Sequence, residues 1–299
     1  MMRRSENMII ARIEGGVGNQ MFQYAMARRI AQLNRSELKL DIGWFTTQAK
    51  REYELHRFNI VAEIADEGDV SSLLGAGAMR SVCNLVERFK PYDRRRLITE
   101  RSFRFNERFG QIGGPAYLQG YWQSPLYFSG IEELLRREFT LKEPLSIPAQ
   151  RIQTDISNVT SVGVHFRRGD YLTDVSVASK HGTCALTYYI GSMQIVIDKF
   201  PHAVFFCFSD DQGWVRKNVK FPGAVVFVDL PPGRGSVEEL FLLSQCEHHI
   251  ISNSTFGWWG AWLGRMDKDA LTLAPKRWFL DRTIDTSRLF PSEWILIEL

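Results

Sequence analysis

The strongest constraint on this chain is an apolar run that stops in a glycine turn and restarts as a helix. Met8 to Ile13 (MIIARI) reads as a short β-strand, and Glu14-Gly15-Gly16-Val17-Gly18-Asn19 is a turn with little side-chain bulk. Gln20 to Leu33 is then rich in helix formers, with Phe22, Tyr24, Ala25, Ile30 and Leu33 available for one buried face. Glu37 to Asp41 (ELKLD) supplies a second strand. Strand, helix and strand in that order predict a parallel sheet of the α/β class.

The same alternation recurs. Tyr117 to Tyr121 reads as a strand and Leu126 to Arg137 as a helix, whereas residues 43 to 115 carry no clear period. Pro144 and Pro148 bracket a polar segment, Lys142 to Gln150, that is the best linker in the chain. Beyond it, strands are expected at Ser161 to Phe166, Ala203 to Phe208, Gly223 to Val228 and His249 to Ser252. Helices are expected at Leu186 to Lys199, at Val237 to Cys246 and from about Phe256. The reading is two α/β domains, 1–148 and 149–299, with a ligand cleft between them. A chain of 299 residues accommodates two domains of about 150.

Composition removes several classes of function. A formal net charge of +3 is too small to predict binding to nucleic acid. Cys83, Cys184, Cys207 and Cys246 form no CxxC pair, which argues against a zinc or dithiol site and fits a reducing compartment. The apolar stretch Met8 to Ile10 is interrupted by Arg12, so neither a signal peptide nor a spanning helix is expected. A cytoplasmic protein is expected, with peripheral contact at an inner membrane left open.

Four segments could carry chemistry. His165-Phe166-Arg167-Arg168-Gly169-Asp170-Tyr171 stands at a strand exit, where paired arginines suit phosphate oxygens. A surface pair bridged to Asp170 is the plainer alternative. The glycine turn at 15–18, with Asn19, lets a backbone approach a ligand at a helix N-terminus, although it is neither GxGxxG nor a Walker sequence. Ser209-Asp210-Asp211 follows a strand, so a carboxylate there could pair with guanine or cap a helix. Ser252-Asn253-Ser254-Thr255-Phe256 places short donors before a helix, a suitable cradle for a pyrophosphate. Trp258, Trp259 and Trp262 read as core packing. His248 and His249 lack a third ligand at metal spacing and read as solvent-facing or capping residues.

Together these segments resemble the α1,2-fucosyltransferase family of bacteria and animals, glycosyltransferase family 11. GGVGNQMFQYAMARRIA at 15–31, YLQGYWQSPLYF at 117–128, HFRRGDY at 165–171, FSDD at 208–211 and SNSTFGWWGAWL at 252–263 carry the likeness. The HxRRxD piece is shared with other fucosyltransferases, whereas the first and last blocks are specific to α1,2 transfer. The resemblance implies a GT-B architecture of two Rossmann-like parallel-sheet domains, with the acceptor on the first and GDP-fucose on the second, and inversion without metal or cofactor. It implies that Arg167 contacts the pyrophosphate, that Arg168 and Asp170 orient the loop, and that His165 and Asp210 lie near guanine. Ser254, Thr255 and Phe256 would line the phosphates, and Gly16, Gly18 and Asn19 would face the same cleft. Arg167 and Asp170 are the expected catalytic pair, while Asp170, Asp41 and Glu14 are candidate bases. The rivals are a fucosyltransferase of another linkage, such as α1,6, and a non-catalytic nucleotide-sugar or carbohydrate-binding protein.

Overall fold

A computed structural model describes residues 7–48, 51–77, 86–87, 89–169, 182–231, 235–265 and 269–298. The chain divides into two units, Met1–Lys142 with Asp285–Phe290, and Glu143–Ile284 with Pro291–Leu299. The boundary thus falls earlier than the expected 148/149, and residues 285–290 return to the first unit. The reason is local. Ile147–Ser157, expected to lie partly in a linker, is a helix with proline in its first turn, and it buries Ala149 and Ile156 in the second unit.

The first unit is built on β1 (Met8–Arg12), β2 (Glu37–Asp41), β3 (Glu63–Ile64), β4 (Leu97–Thr99) and β5 (Ala116–Gln119). Its sheet runs β3-β2-β1-β5-β4, all parallel. Helix α1 (Val17–Asn34) packs on β1 and β2. On the other face, Met8, Ile10 and Tyr117 pack against Leu73 and Leu74 of α2 (Glu67–Leu74). No apolar period in the sequence marks α2. Its start is set by a reciprocal pair, in which the Asp66 carboxylate accepts from Asp69 N and the Asp69 carboxylate accepts from Asp66 N. The helix expected at 126–137 is instead a 3₁₀ turn, Pro125–Phe128, followed by α3 (Glu132–Glu138).

The second unit contains β6 (Ser161–Phe166), β7 (Val204–Ser209), β8 (Val225–Phe227), β9 (His248–Ile250), β10 (Thr272–Pro275) and β11 (Ile295–Ile297). The parallel order is β11-β10-β9-β6-β7-β8. The residue alternation of a strand sorts its side chains between two apolar layers. Val162, Val164 and Phe166 of β6 pack with Tyr188, Tyr189 and Met193 of α5 (Leu186–Lys199) and Val215 of α6 (Gln212–Asn218). Phe206 and Phe208 of β7 pack instead with α4 (Ile147–Ser157) and with Leu242 and Leu243 of α7 (Gly235–Gln245). The last helix is α8 (Thr255–Leu263), whose Trp258 and Trp259 are fully buried.

His248 and His249 correct an expectation. Both are buried in β9: His249 Nε2 lies 2.9 Å from Leu243 O, and His248 Nδ1 accepts from Leu271 N. Neither faces solvent.

Candidate functional site

In the second sheet the chain builds outward from β6 through β7 to β8, then crosses back to place β9 on the other side of β6. Strands that diverge in this way leave a crevice beyond their carboxyl ends, where α/β proteins hold ligands. Three of the four expected segments converge there. His165, near the end of β6, shares a 2.8 Å hydrogen bond between its Nδ1 and Ser252 Oγ beyond β9. Its ring stacks on Phe256 at a centroid distance of 5.0 Å. Burial, reinforced by the charge of Arg167, pushes the His165 pKa down to about 3. His165 is therefore a neutral hydrogen-bonding post at physiological pH and contributes no positive charge.

Arg167 and Arg168 follow as the chain leaves β6, and Asp210 organises both. Its Oδ2 lies 3.0 Å from Arg167 Nη1 and accepts from Gly169 N at 3.0 Å, while Oδ1 accepts from Arg168 N at 2.9 Å. One carboxylate thus fixes two backbone amides and one guanidinium. The Arg168 guanidinium carbon lies 3.4 Å from the ring centroid of Trp214, a close cation–π stack. Asp211 has a separate task, capping α6 by accepting from Trp214 N. Asp170, expected to be catalytic, lies outside the described residues.

The cradle expected at 252–256 is the start of α8. Ser254 is the N-cap residue and makes no side-chain cap hydrogen bond, so its hydroxyl leaves the first-turn amides to other acceptors. Thr255 and Phe256 are the first two helical residues. Asn253 is structural instead: its amide nitrogen donates to Gly182 O and Trp278 O. The combination of hydroxyls, a helix N-terminus and two arginines suits a diphosphate.

Sequence reading missed Glu239, on α7. Burial raises its pKa to about 7, and the charges of Asp229 and Asp210 add to the rise. Among the described residues it has no hydrogen-bond partner. A half-buried carboxyl of raised pKa that feels the charge of Asp210 is a candidate for the same site. The only signal in the sequence was a glutamate in the first half of an apolar helix, which is indistinguishable from an ordinary surface position.

The remaining expected residues lie in the first unit, at the exit of β1. Gly16 is the N-cap of α1, and Gly18 is buried in its first turn. Gly15 has φ +81°, and a Cβ there would stand 2.8 Å from Asn19 Nδ2, so the turn requires glycine. Gln123, beyond β5, donates to Asn19 Oδ1 at 3.0 Å, while its own Oε1 is buried with no hydrogen-bond partner. The rest of the Gly-Asn-Gln-Met-Phe-Gln-Tyr block is structural. Gln20 ties the turn to the main chain of Glu52 and Glu54, Gln23 accepts from Glu14 N, and Tyr24 donates to Glu138. Of the candidate bases, Asp41 accepts from Tyr117 OH and Gly43 N, and Glu14 pairs with Arg12 at 2.9 Å.

Comparison with known proteins gives this geometry a context. The model of glycosyl transferase family 11 matches residues 97–298. An α-1,2-colitosyltransferase of Escherichia coli is 33% identical over 98% of this chain and 99% of its own. Galactoside α-(1,2)-fucosyltransferase 1 of Ateles belzebuth is 29% identical over 85% of this chain and 64% of its own. Among solved structures, a variant of Arabidopsis thaliana FUT1 in complex with GDP matches 91% of this chain and 70% of its own, with a TM-score of 0.53 at 13% identity. That last likeness is one of fold, the two-sheet α/β class of GT-B enzymes. With the family model spanning most of the chain and a relative matched almost end to end, the chain belongs to glycosyltransferase family 11.

Proposed function

We propose that this chain is an inverting α1,2-glycosyltransferase that moves L-fucose from GDP-β-L-fucose to the 2-hydroxyl of a galactose residue in a cell-surface glycan. The observation that carries the reading is the crevice between β6 and β9, where the Asp210-fixed arginine loop stands in the same unit as the uncapped start of α8. The second unit takes the GDP-sugar and the first takes the acceptor.

The chemistry follows from charge. As the fucosyl–phosphate bond breaks, its electron pair stays on the β-phosphate and positive charge develops at the sugar. Arg167 and the α8 amides stabilise the departing diphosphate, with Ser254 and Thr255 adding hydroxyl donors. A preorganised donor of this kind contributes about 10²–10³ in rate. These groups do the work that a metal does elsewhere, so no metal or cofactor is assigned. The acceptor oxygen attacks from the opposite face and loses its proton, and an oxocarbenium-like transition state asks little of the base. Glu239, which has no hydrogen-bond partner among the described residues, reads the N1–H and 2-amino edge of guanine. That revises the role expected of Asp210, whose oxygens already hold the arginine loop.

One specific observation favours a second donor. The 33% identical relative is a colitosyltransferase, and colitose is L-fucose without its 3-hydroxyl. Incubating the protein with GDP-fucose or GDP-colitose, a set of β-galactosides and excess EDTA, followed by linkage analysis, tests both readings. The expected product is an α1,2-fucosylated galactoside formed despite the chelator. Transfer of colitose alone would shift the donor, another linkage would overturn the acceptor atom, and loss reversed by added Mg²⁺ would overturn the metal-free cradle.

A further inference from the structure

The first unit holds a cavity of about 820 Å³ that none of the donor-side roles above uses. It opens at the carboxyl ends of β1 and β2 and is walled by the turn after β2 and by α2. Its size is ordinary for a small-molecule site, about 300–1,000 Å³. The strand pattern creates it: Met8 and Ile10 of β1 point to α2, so Arg12, two residues on, emerges on the same side. Lys39 and Asp41 of β2 follow the same rule, with Lys39 pairing to Asp69 of α2 at 3.0 Å.

The lining decides the class of ligand. Asp41, Asp66 and Glu67 make the walls acidic, and the Asp66 carboxylate already occupies the N-terminus of α2. A phosphate would be repelled and would find its helix amide taken. The one arginine, Arg12, is paired to Glu14 at 2.9 Å and so recruits no anion, and among the described residues no three acidic, histidine or cysteine side chains are grouped to hold a metal ion. What remains is neutral and rich in hydroxyls. Trp44 offers a half-buried indole whose N–H has no hydrogen-bond partner among the described residues. An amphipathic ring beside carboxylates can cover the apolar face of a pyranose while the acids accept from its hydroxyls.

We propose that this cavity is a subsite for a neutral sugar of the acceptor glycan, with Trp44 as its platform. The proposal rests on reading the chain as a glycosyltransferase and adds to it a named recognition surface for the acceptor. The test uses the whole protein and a set of neutral β-galactosides from mono- to tetrasaccharide. In steady-state assays, Trp44→Ala should raise the acceptor KM about tenfold while leaving the donor KM and the GDP affinity at wild-type values. Trp44→Phe should recover most of the loss, and Ala76→Trp, which adds bulk to the cavity lining, should mimic Trp44→Ala with an unchanged melting temperature. Saturation-transfer NMR without donor should show the tetrasaccharide bound to wild type and weakened in Trp44→Ala. An unchanged acceptor KM, an equal rise in donor KM, or galactoside binding indifferent to both variants would overturn the subsite. Should no sugar be transferred at all, the functional reading fails, while the NMR arm still decides whether the cavity binds a glycan.

Discussion

Asp210 and Glu239 feel each other's charge, yet their surroundings give them different tasks. Asp210 is saturated by donors from the loop that it shapes, whereas Glu239 is partly desolvated and has no such donor among the described residues. Burial of a carboxyl disfavours the ionised form, and hydrogen bonds to it restore that form. A guanine edge would supply two such bonds to Glu239. Binding of GDP should therefore select the ionised form, so affinity should rise as pH increases through about 7 and level off above it. Between pH 6 and 8 the gain should be about tenfold beyond that from the nucleotide's own phosphate. Glu239→Gln should remove this increment and weaken GDP about tenfold or more at pH 8, as loss of hydrogen bonds to a charged group predicts. Titration calorimetry of both proteins across that range checks it, and parallel pH profiles would take Glu239 out of the base pocket.

At the scale of elements, α8 shows how a helix can be placed by the residues it lacks. A Cβ at Gly260 would lie 2.4 Å from a methyl of Leu243 on α7, and one at Gly257 would lie 2.8 Å from His165 Nδ1. The two glycines therefore have different consequences although they are one turn apart. Gly260→Ala should cost about 1–3 kcal/mol of stability by overpacking, seen as a lower melting temperature with GDP affinity largely kept. Gly257→Ala should displace the His165 ring from Ser252 and cut GDP affinity more than tenfold for a smaller thermal loss. Comparable effects of the two on both readouts would mean that α8 moves as a rigid body. The sequence displayed α1, α5 and α8 and the central strands because long apolar periods survive any context. It concealed α2, whose start depends on an Asp66–Asp69 capping pair, and α4, whose first turn looks like a proline linker. It concealed Glu239 for a further reason: what distinguishes that residue is partial burial near the charges of Asp229 and Asp210, which only tertiary placement creates.

At the scale of the whole chain, the two units carry unequal electrostatic loads. His165, His248 and His249 all lie in the second unit, and burial holds their pKa values at about 3, 4 and 4. Each stays neutral while folded and gains a proton near pH 6.5 once unfolded. The stability that each contributes is therefore complete above pH 6.5 and is lost as pH falls toward about 4 for His248 and His249 and about 3 for His165. Glu239 acts in the other direction. Its raised pKa costs stability above the usual carboxylate range, so acidification from pH 7 returns some. Three histidines against one carboxyl leave a net loss on acidification, with a ceiling of about 1.4 kcal/mol per pH unit for each histidine. Two units with separate cores need not unfold together, and calorimetry resolves them if they do not. Scans from pH 7.5 to pH 5 should show the transition of the second unit falling by several degrees. GDP should raise that transition at both pH values, because a ligand of the folded state stabilises the unit that holds it. A second-unit transition that stays level between pH 7.5 and pH 5 would mean that these histidines are not held neutral by burial.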